Sequence, residues 1–195
     1  GGTIGDIESA PFLEAIRQMK WELGRNAVNI HLTYIPYLKA AGELKTKPTQ
    51  HSVKELQSVG IQPDILVLRT EKHLDDDVRR KVAAFCNVDL DCVVQSEDLA
   101  SIYEVPVNMQ KQGLDVAILR KTGEPIGPTP ELGPWKAFLE RQKKATREVH
   151  IGLVGKYDLQ DAYKSIRESL SQAGTYNDYK IGKRRVGKEC ASMCR

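Results

Sequence analysis

The alternation of apolar and polar residues along the chain predicts a series of short strands. Residues 28–34 place apolar side chains at even-numbered positions and polar ones at odd-numbered positions, which is typical of a strand. Residues 64–69 form a mostly apolar run, as expected for a strand that is buried on both faces of a parallel sheet. Residues 92–95 form a shorter run of the same kind. These runs predict the strands of one sheet.

Apolar residues that recur about every three or four positions predict helices between these strands. One helix occupies residues 12–23 and is closed by Gly24, a second begins near Pro48 and stops at Gly60, and a third covers residues 75–87. Strands that alternate with helices indicate an α/β fold with a mainly parallel sheet and flanking helices. The apolar side chains that we expect in its core are Phe12, Ile16, Ile30, Leu32, Leu66, Val67, Val82 and Phe85.

A segment rich in proline and glycine divides the chain. Residues 121–135 contain four prolines and three glycines, a composition typical of a linker. Beyond it we expect a helix at residues 135–144, a strand at 149–155 and a helix at 161–170. The predicted organisation is a first domain at residues 1–120, a linker and helix at 121–147, and the start of a second α/β domain at 148–195.

The loop at residues 44–52 is the main candidate for a binding site. It places lysines, threonines and a glutamine where a loop becomes a helix, beyond the C-terminal end of the first predicted strand. In open α/β sheets ligands collect at that end of the strands, and a helix start offers unpaired N–H groups and a positive dipole end. Lys45 and Lys47 add positive charge, a combination that suits a polyphosphate. The alternative interpretation is a solvated basic turn.

Two other polar segments are candidates, each with a simpler alternative. Asp6 and Glu8 follow a glycine-rich start. They either face a ligand or stabilise the next helix, because carboxylates are favoured at the positive end of a helix dipole. Arg79, Arg80 and Lys81 give the third helix a basic face. Either one of these side chains reaches a ligand or all of them are solvated.

Composition narrows the class of protein. The chain is 41% hydrophobic and 28% charged, as ordinary globular proteins are, and its net charge of +3 does not by itself argue for nucleic-acid binding. It has no apolar run long enough for a membrane-spanning helix.

Cys86 and Cys92 lie in apolar surroundings and are expected to be buried free thiols, which fits a reducing cytoplasm. Cys190 and Cys194 are one residue too far apart for a C-x-x-C motif, so no metal site is expected there.

Several motifs together resemble those of CTP synthase, the glutamine-dependent amidoligase that makes CTP from UTP. The similarity covers about residues 1–180, and residues 44–53 are its most specific stretch. Other matching motifs are G-G-T-I-G-D-I-E-S at residues 1–9, P-F-L-E-A-I-R-Q at 11–18, G-I-Q-P-D-I-L at 60–66, S-I-Y-E-V-P at 101–106 and D-A-Y-K-S-I at 161–166.

The resemblance implies a synthetase domain similar to P-loop ligases, in which ATP phosphorylates O4 of UTP and ammonia displaces the phosphate. A class I glutaminase domain would follow and supply the ammonia. The implied cofactor is Mg²⁺, the implied ligands are ATP, UTP, CTP and glutamine or ammonia, and the implied assembly is a cytoplasmic homotetramer without membrane or nucleic-acid partners. The implied UTP- or CTP-binding residues are Asp6, Ile7, Glu8, Lys45, Thr46, Lys47, Pro48, Thr49, Gln50 and Lys81. Those implied at the ATP adenine are Glu97, Asp98 and Leu99.

The chain also departs from the pattern of the family. It carries no phosphate-binding loop, magnesium-binding carboxylate or glutaminase nucleophile of the family type, so we expect no catalytic or metal-ligating residue in it and no activity of the chain alone. Residues 155–161 are one residue shorter than the family spacing, and a basic tail from about residue 182 does not resemble the next strand. These departures indicate a fragment that spans the second half of the synthetase domain and the start of the glutaminase domain.

Two other functions remain open at the level of sequence. The chain would be a non-catalytic module for pyrimidine-nucleotide binding or assembly if it kept the lysine loop without the catalytic parts. It would be a nucleic-acid binder if the basic tail from about residue 182 contacted phosphates. A nucleotide-binding loop in a larger ligase is the interpretation that accounts for most of the motifs.

Overall fold

The computed structural model describes residues 3–155 and 162–182. The chain forms two compact units, residues 1–129 and residues 130–195. The helices and strands of the first unit are α1 (Ala10–Leu23), β1 (Ile30–Ile35), β2 (Tyr37–Leu38), β3 (Glu43–Leu44), α2 (Lys47–Ser58), β4 (Ile65–Thr70), α3 (Asp76–Cys86), β5 (Val93–Glu97), α4 (Val105–Lys111) and α5 (Leu114–Thr122). Those of the second unit are α6 (Gly133–Lys144), β6 (Arg147–Val149), α7 (Lys164–Tyr176) and β7 (Tyr179–Ile181).

The first unit is built on a parallel sheet with the strand order β1-β4-β5. The central strand β4 is buried on both faces at Ile65, Leu66 and Leu68, which confirms the prediction made from its apolar run. In the sheet, Thr70 pairs with Ile35 on one side and Glu97 on the other. The C-terminal ends of all three strands therefore meet at one edge, called here the strand-end edge.

Local backbone chemistry explains where the helices of the first unit begin and end. Pro48 lies in the first turn of α2, where its missing N–H has no intrahelical partner to lose. Gly60 follows α2 with a φ of +81°, a value that glycine adopts without steric cost. Asn87 closes α3 in the left-handed conformation with a φ of +53°, as asparagine often does at a helix end.

The predicted core is only partly confirmed. Leu66, Val67 and Val82 are buried, as expected. The prediction is wrong for five other positions, because their side chains are substantially exposed, up to 72% for Phe12 and 64% for Leu32. The exposed positions that were expected in the core are Phe12, Ile16, Ile30, Leu32 and Phe85.

The errors on β1 have a clear cause, because α2 packs on the polar face of the strand instead of the apolar one. Thr33 and Ile35 are buried, and the His31 Nε2 atom lies 3.0 Å from the Ser52 hydroxyl of α2. The even-numbered side chains Ile30 and Leu32 point to the opposite face and are exposed. Alternation shows that a strand has two different faces, but it does not show which face a helix covers.

The helices also carry exposed aromatic and apolar residues. On α1, the Lys20 ammonium contacts the Asp64 carboxylate at 2.8 Å, while Phe12 and Ile16 are exposed. Phe85 lies near the C-terminal end of α3, where the Lys54 ammonium is 4.9 Å from the centroid of its ring. The ring therefore contacts a charged side chain and is not part of the core.

The second unit has less regular structure than predicted. Helix α6 confirms the predicted helix at residues 135–144, and its Phe138 ring lies 6.5 Å from that of Tyr176 on α7. The predicted strand at residues 149–155 is wrong, because β6 stops at Val149. Among the described residues, β6 and its parallel partner β7 are paired at three positions. Among the residues described near the predicted helix at 161–170, α7 starts only at Lys164 and runs on to Tyr176.

Two predictions made from composition concern the cysteines and the membrane. Cys86 and Cys92 are buried free thiols, as predicted, and burial raises the pKa of Cys86 to about 11. No helix in the described part of the chain is long and apolar enough to cross a membrane. The predictions that concern Cys190, Cys194 and the basic tail after residue 182 lie outside the described residues.

Candidate functional site

The lysine loop at residues 45–50 lies at the strand-end edge of the sheet. The β2–β3 hairpin leads into it from the end of β1, and the Lys45 N–H donates to the Pro36 carbonyl at 3.0 Å. The loop then becomes the first turn of α2, which begins at Lys47. The structure thus places this loop at the edge where ligands of parallel sheets collect.

Two side chains of the loop fix its own conformation. The Thr49 side chain is fully buried. Its hydroxyl donates to the Tyr34 carbonyl at 3.0 Å and lies 3.1 Å from the Thr33 hydroxyl. Thr46 is also buried, and its hydroxyl accepts a hydrogen bond of 3.2 Å from the Gln50 amide. The bonds of Thr49 attach the start of α2 to the end of β1, whereas the Thr46–Gln50 bond lies within the loop and the first turn of α2.

The charged side chains of the loop differ in what they contact. The Lys45 ammonium forms an ion pair with the Glu43 carboxylate, whereas Lys47 and Pro48 are exposed at the helix start. The Thr46 side chain makes no capping hydrogen bond to α2, so the first N–H groups of the helix are not satisfied by that side chain. An exposed ammonium beside a helix start is a suitable place for an anion.

Helix α3 carries three basic residues that differ in what they contact. Arg79 is used within the fold, since its guanidinium donates to the Val93 carbonyl at 2.8 Å, and Arg80 pairs with Asp77 at 3.3 Å. Lys81 is exposed and forms no ion pair with any residue that the structure describes. Of the three basic residues on this helix, Lys81 is therefore the one whose charge is available to a ligand.

The segment at residues 97–99 forms the other part of the strand-end edge. Glu97 is the last residue of β5, and the Asp98 N–H donates to the Thr70 carbonyl at 3.0 Å. The Asp98 carboxylate contacts the Arg69 guanidinium at 3.4 Å, while Leu99 is half-buried. This segment and the C-terminal end of β4 are thus joined by main-chain and side-chain contacts.

The segment at residues 6–8 is separate from these contacts. The Asp6 carboxylate accepts a hydrogen bond from the Thr3 N–H at 2.9 Å, and the Ser9 hydroxyl donates to the Asp6 carbonyl at 2.8 Å. Ile7 and Glu8 are exposed. Among the described residues, no hydrogen bond connects this segment to the lysine loop, so the structure leaves the two parts of the predicted pyrimidine site unlinked.

The structure also brings residues to the strand-end edge that the sequence did not single out. The Tyr34 hydroxyl donates to the Glu71 carboxylate at 2.8 Å, and this hydrogen bond raises the pKa of Tyr34. The Lys72 ammonium lies 4.9 Å from the ring centroid of Tyr37, and His73 contacts Glu97 at 2.7 Å. Most of these residues follow the C-terminal end of β4, and that position after a buried parallel strand is the signal that would have identified them.

Among the described residues, two carboxylates and a thiol form one cluster. Ligand atoms of Asp89, Asp91 and Cys92 lie within 4.8 Å of one another. Asp89 pairs with the Lys121 ammonium at 2.8 Å, which lowers the pKa of that carboxyl, and Asp91 pairs with Arg120. Mg²⁺ prefers oxygen ligands with near-octahedral geometry, so a cluster with a thiol and two neutralised carboxylates does not fit it.

Comparisons with known proteins give a consistent result. A family model described as CTP synthase N-terminus matches residues 1–123. A CTP synthase of Bacteroides thetaiotaomicron is 72% identical over 183 residues, which cover 93% of this chain and 34% of the relative. Relatives of the same name from Porphyromonas gingivalis and Methanocaldococcus jannaschii are 63% and 54% identical, with the same coverage. The chain therefore spans about a third of the length of the curated relatives it matches.

Proposed function

Because the chain belongs to the CTP synthase family, we propose that it is part of a ligase that makes CTP from UTP. In this reaction ATP phosphorylates O4 of the uracil, and ammonia released from glutamine displaces the phosphate. The single observation that carries this proposal is the family match over residues 1–123. The activity is proposed for a protein of the relatives' length, called here the completed protein, in which this chain is joined to the remaining sequence of the B. thetaiotaomicron relative.

The triphosphate of UTP or CTP is proposed to bind at the lysine loop. A nucleoside triphosphate carries several negative charges, which must be paired when they leave water. The exposed Lys47 and the first turn of α2 supply an ammonium and N–H donors, and Lys45 supplies a second ammonium if its pair with Glu43 opens. Thr46, Thr49 and Gln50 would support the loop, since their side chains are used in hydrogen bonds within it.

The remaining predicted residues take other parts in this proposal. Asp6, Ile7 and Glu8 would contact the sugar or base, because carboxylates repel phosphate. Lys81 would add a further positive charge, which suits its exposure. The ATP adenine is proposed to lie against residues 97–99. Mg²⁺ would accompany the triphosphates, and the acidic cluster at residues 89–92 is not its site.

The second unit is proposed to be the start of a class I glutaminase domain, and the completed protein is proposed to form a homotetramer. Support for the glutaminase assignment is the motif at residues 161–166 together with an α/β arrangement of β6, α7 and β7. A non-catalytic nucleotide-binding module is the competing function. It would bind UTP in the completed protein without forming any CTP.

The test is a pair of lysine variants in the completed protein. Removing the exposed ammonium in Lys47→Ala should raise the UTP Michaelis constant and the CTP inhibition constant together by about tenfold to a hundredfold, since a charge-assisted hydrogen bond contributes roughly 1.5–3 kcal/mol. Lys39→Ala is the matched control, because Lys39 is also exposed but lies in the hairpin turn before the loop. If Lys47→Ala leaves both constants at the level of Lys39→Ala, the triphosphate does not bind here.

A further inference from the structure

A buried glutamine joins the two elements that meet at the proposed ATP site. Gln95 lies on β5 with only 1% of its surface exposed. Its amide oxygen accepts a hydrogen bond of 3.1 Å from the Leu74 N–H, in the loop after β4. Because the oxygen is used by this N–H donor, the NH₂ group must face the other way. It faces the Glu97 carboxylate, to which it donates, and the His73 Nδ1 atom at 3.2 Å.

Gln95 and His73 both contact the same carboxylate oxygen of Glu97. The Gln95 amide donates to Oε1, and the His73 ring nitrogen Nδ1 lies 2.7 Å from the same atom. The second oxygen, Oε2, has no hydrogen-bond partner among the described residues. The Glu97 side chain is 36% exposed, so its Oε2 atom is an available acceptor at the strand-end edge.

The Glu97 carboxylate does not pair with the neighbouring Arg69. The Arg69 guanidinium contacts Asp98 at 3.4 Å, which leaves Glu97 to His73 and Gln95. A buried side-chain amide is rarely left without partners, and here its three contacts fix the carboxylate relative to the sheet. The rotamer of Glu97 is thus set by a residue that is itself fixed within β5.

We propose that Glu97 selects an adenine base through its exocyclic amino group and that Gln95 is the positioning residue that holds Glu97 for this contact. An ionised carboxylate accepts hydrogen bonds and donates none. Adenine presents an amino donor at N6, whereas guanine and hypoxanthine present a carbonyl acceptor at the same place. Oε2 of Glu97 would accept from the amino group of ATP and repel the carbonyl of GTP or ITP. The inference rests on the proposed function, because it assumes the ATP site at residues 97–99.

A purely structural role for Gln95 makes a different prediction. A clamp that only attached the loop after β4 to β5 would change stability and the affinity for every nucleotide alike. Base selection, by contrast, changes the ratio of the ATP and ITP affinities. ITP is the appropriate probe because it keeps the ribose triphosphate of ATP and carries a carbonyl in place of the exocyclic amino group. Its ring N1 also carries a hydrogen, so Glu97→Gln, which adds a donor for the carbonyl, isolates the exocyclic contact.

The experiment measures dissociation constants of ATP and ITP for the completed protein by titration calorimetry. The wild type should prefer ATP by about tenfold to a hundredfold, the range of a hydrogen bond to a charged group. Gln95→Met keeps the volume but removes the amide, so it should lose most of this preference. Glu97→Gln adds an NH₂ donor and should raise ITP affinity while lowering ATP affinity. Ser96→Ala, the half-buried neighbour on the same strand, should keep the preference.

The outcomes separate this inference from the proposed function. Equal ATP and ITP affinities in a wild type that forms CTP overturn the inference alone, as does an unchanged preference in Glu97→Gln. Absence of both CTP formation and ATP binding overturns the two together. If Gln95→Met fails to fold, Glu97→Gln decides, because its side chain is partly exposed and the substitution nearly preserves its shape. The UTP Michaelis constant should be unchanged in Ser96→Ala.

Discussion

At the scale of single residues, polar side chains decide how α2 and β1 fit together. Thr49 of α2 bonds to the carbonyl of Tyr34, and Ser52 one turn later contacts His31. A buried hydroxyl that lost its partner would cost about 1–3 kcal/mol, so these contacts bind the helix to one face of the strand. The loop that carries the exposed Lys47 is thereby held at the strand-end edge.

His31 makes stability depend on pH. Burial lowers its pKa below the ordinary value of 6.5, so the folded chain binds this proton less readily than the unfolded chain. The stability that neutral His31 contributes is therefore fully present above pH 6.5, and the unfolding free energy falls as the pH drops below that value. In His31→Asn, which does not titrate, this fall should be smaller in urea denaturation at a series of pH values. His51→Gln, at an exposed histidine, is the control, and a fall in His31→Asn equal to that of the wild type would contradict the prediction.

Glu8 should affect the discrimination between CTP and UTP and not the binding of their triphosphate. It is exposed before α1, and a carboxylate there can accept hydrogen bonds from a sugar or a base amino group but repels phosphate. We expect Glu8→Ala in the completed protein to change the CTP inhibition constant more than the UTP Michaelis constant. Glu22→Ala, at an exposed glutamate late in α1, serves as the comparison. A parallel rise in both constants for Glu8→Ala, like that expected for Lys47→Ala, would place Glu8 with the phosphate contacts.

At the scale of elements, the buried strand β4 and the exposed side of β1 allow a direct comparison of two leucines. Leu66 on β4 is fully buried, whereas Leu32 on the neighbouring strand is 64% exposed. Leu66→Ala should lower the unfolding free energy by about 2–5 kcal/mol, and Leu32→Ala should change it by no more than about 0.5 kcal/mol. Urea denaturation of both variants measures the difference. Equal losses would mean that the apolar face of β1 is covered.

Periodicity predicted the elements well where the pattern did not depend on distant partners. Residues 64–69 were predicted as a strand and β4 is Ile65–Thr70, because a run that is apolar on both faces has no face to assign wrongly. On β1 the strand was found but its covered face was reversed. The β2–β3 hairpin has two residues in each strand, too few to show alternation. The predicted strand at residues 149–155 was wrong, since β6 ends at Val149.

The candidate site shows the same limit. Its position could be predicted, because the lysine loop comes after β1 and Glu97 ends β5, and the C-terminal ends of parallel strands share an edge of the sheet. The inward hydroxyl of Thr49 could not be predicted, since it depends on a carbonyl 15 residues away. The contact of Gln95 with Leu74 spans 21 residues and leaves no trace in the local sequence. Local pattern locates a site, and long-range contacts determine which of its side chains are available.

At the scale of the whole molecule, the exposed apolar face of β1 is the main unusual feature of the first unit. Ile30, Leu32 and Tyr34 are all more than 40% exposed, although they alternate as strand residues of a covered face do. Within the described residues, β1 pairs with β4 alone, so its other edge is open. An open strand edge beside exposed apolar side chains favours pairing with another chain.

The 195-residue chain is therefore expected to self-associate through β1. Replacing an exposed leucine by lysine on an edge strand places a charge where another strand would have to bury it, which opposes pairing. In sedimentation velocity experiments at increasing protein concentration, Leu32→Lys should keep a lower sedimentation coefficient than the wild type. Leu90→Lys is the matched control, because Leu90 is also partly exposed but lies between α3 and β5, away from the open edge. If both variants reduce association equally, it arises from general hydrophobic exposure; if neither does, β1 is not the contact.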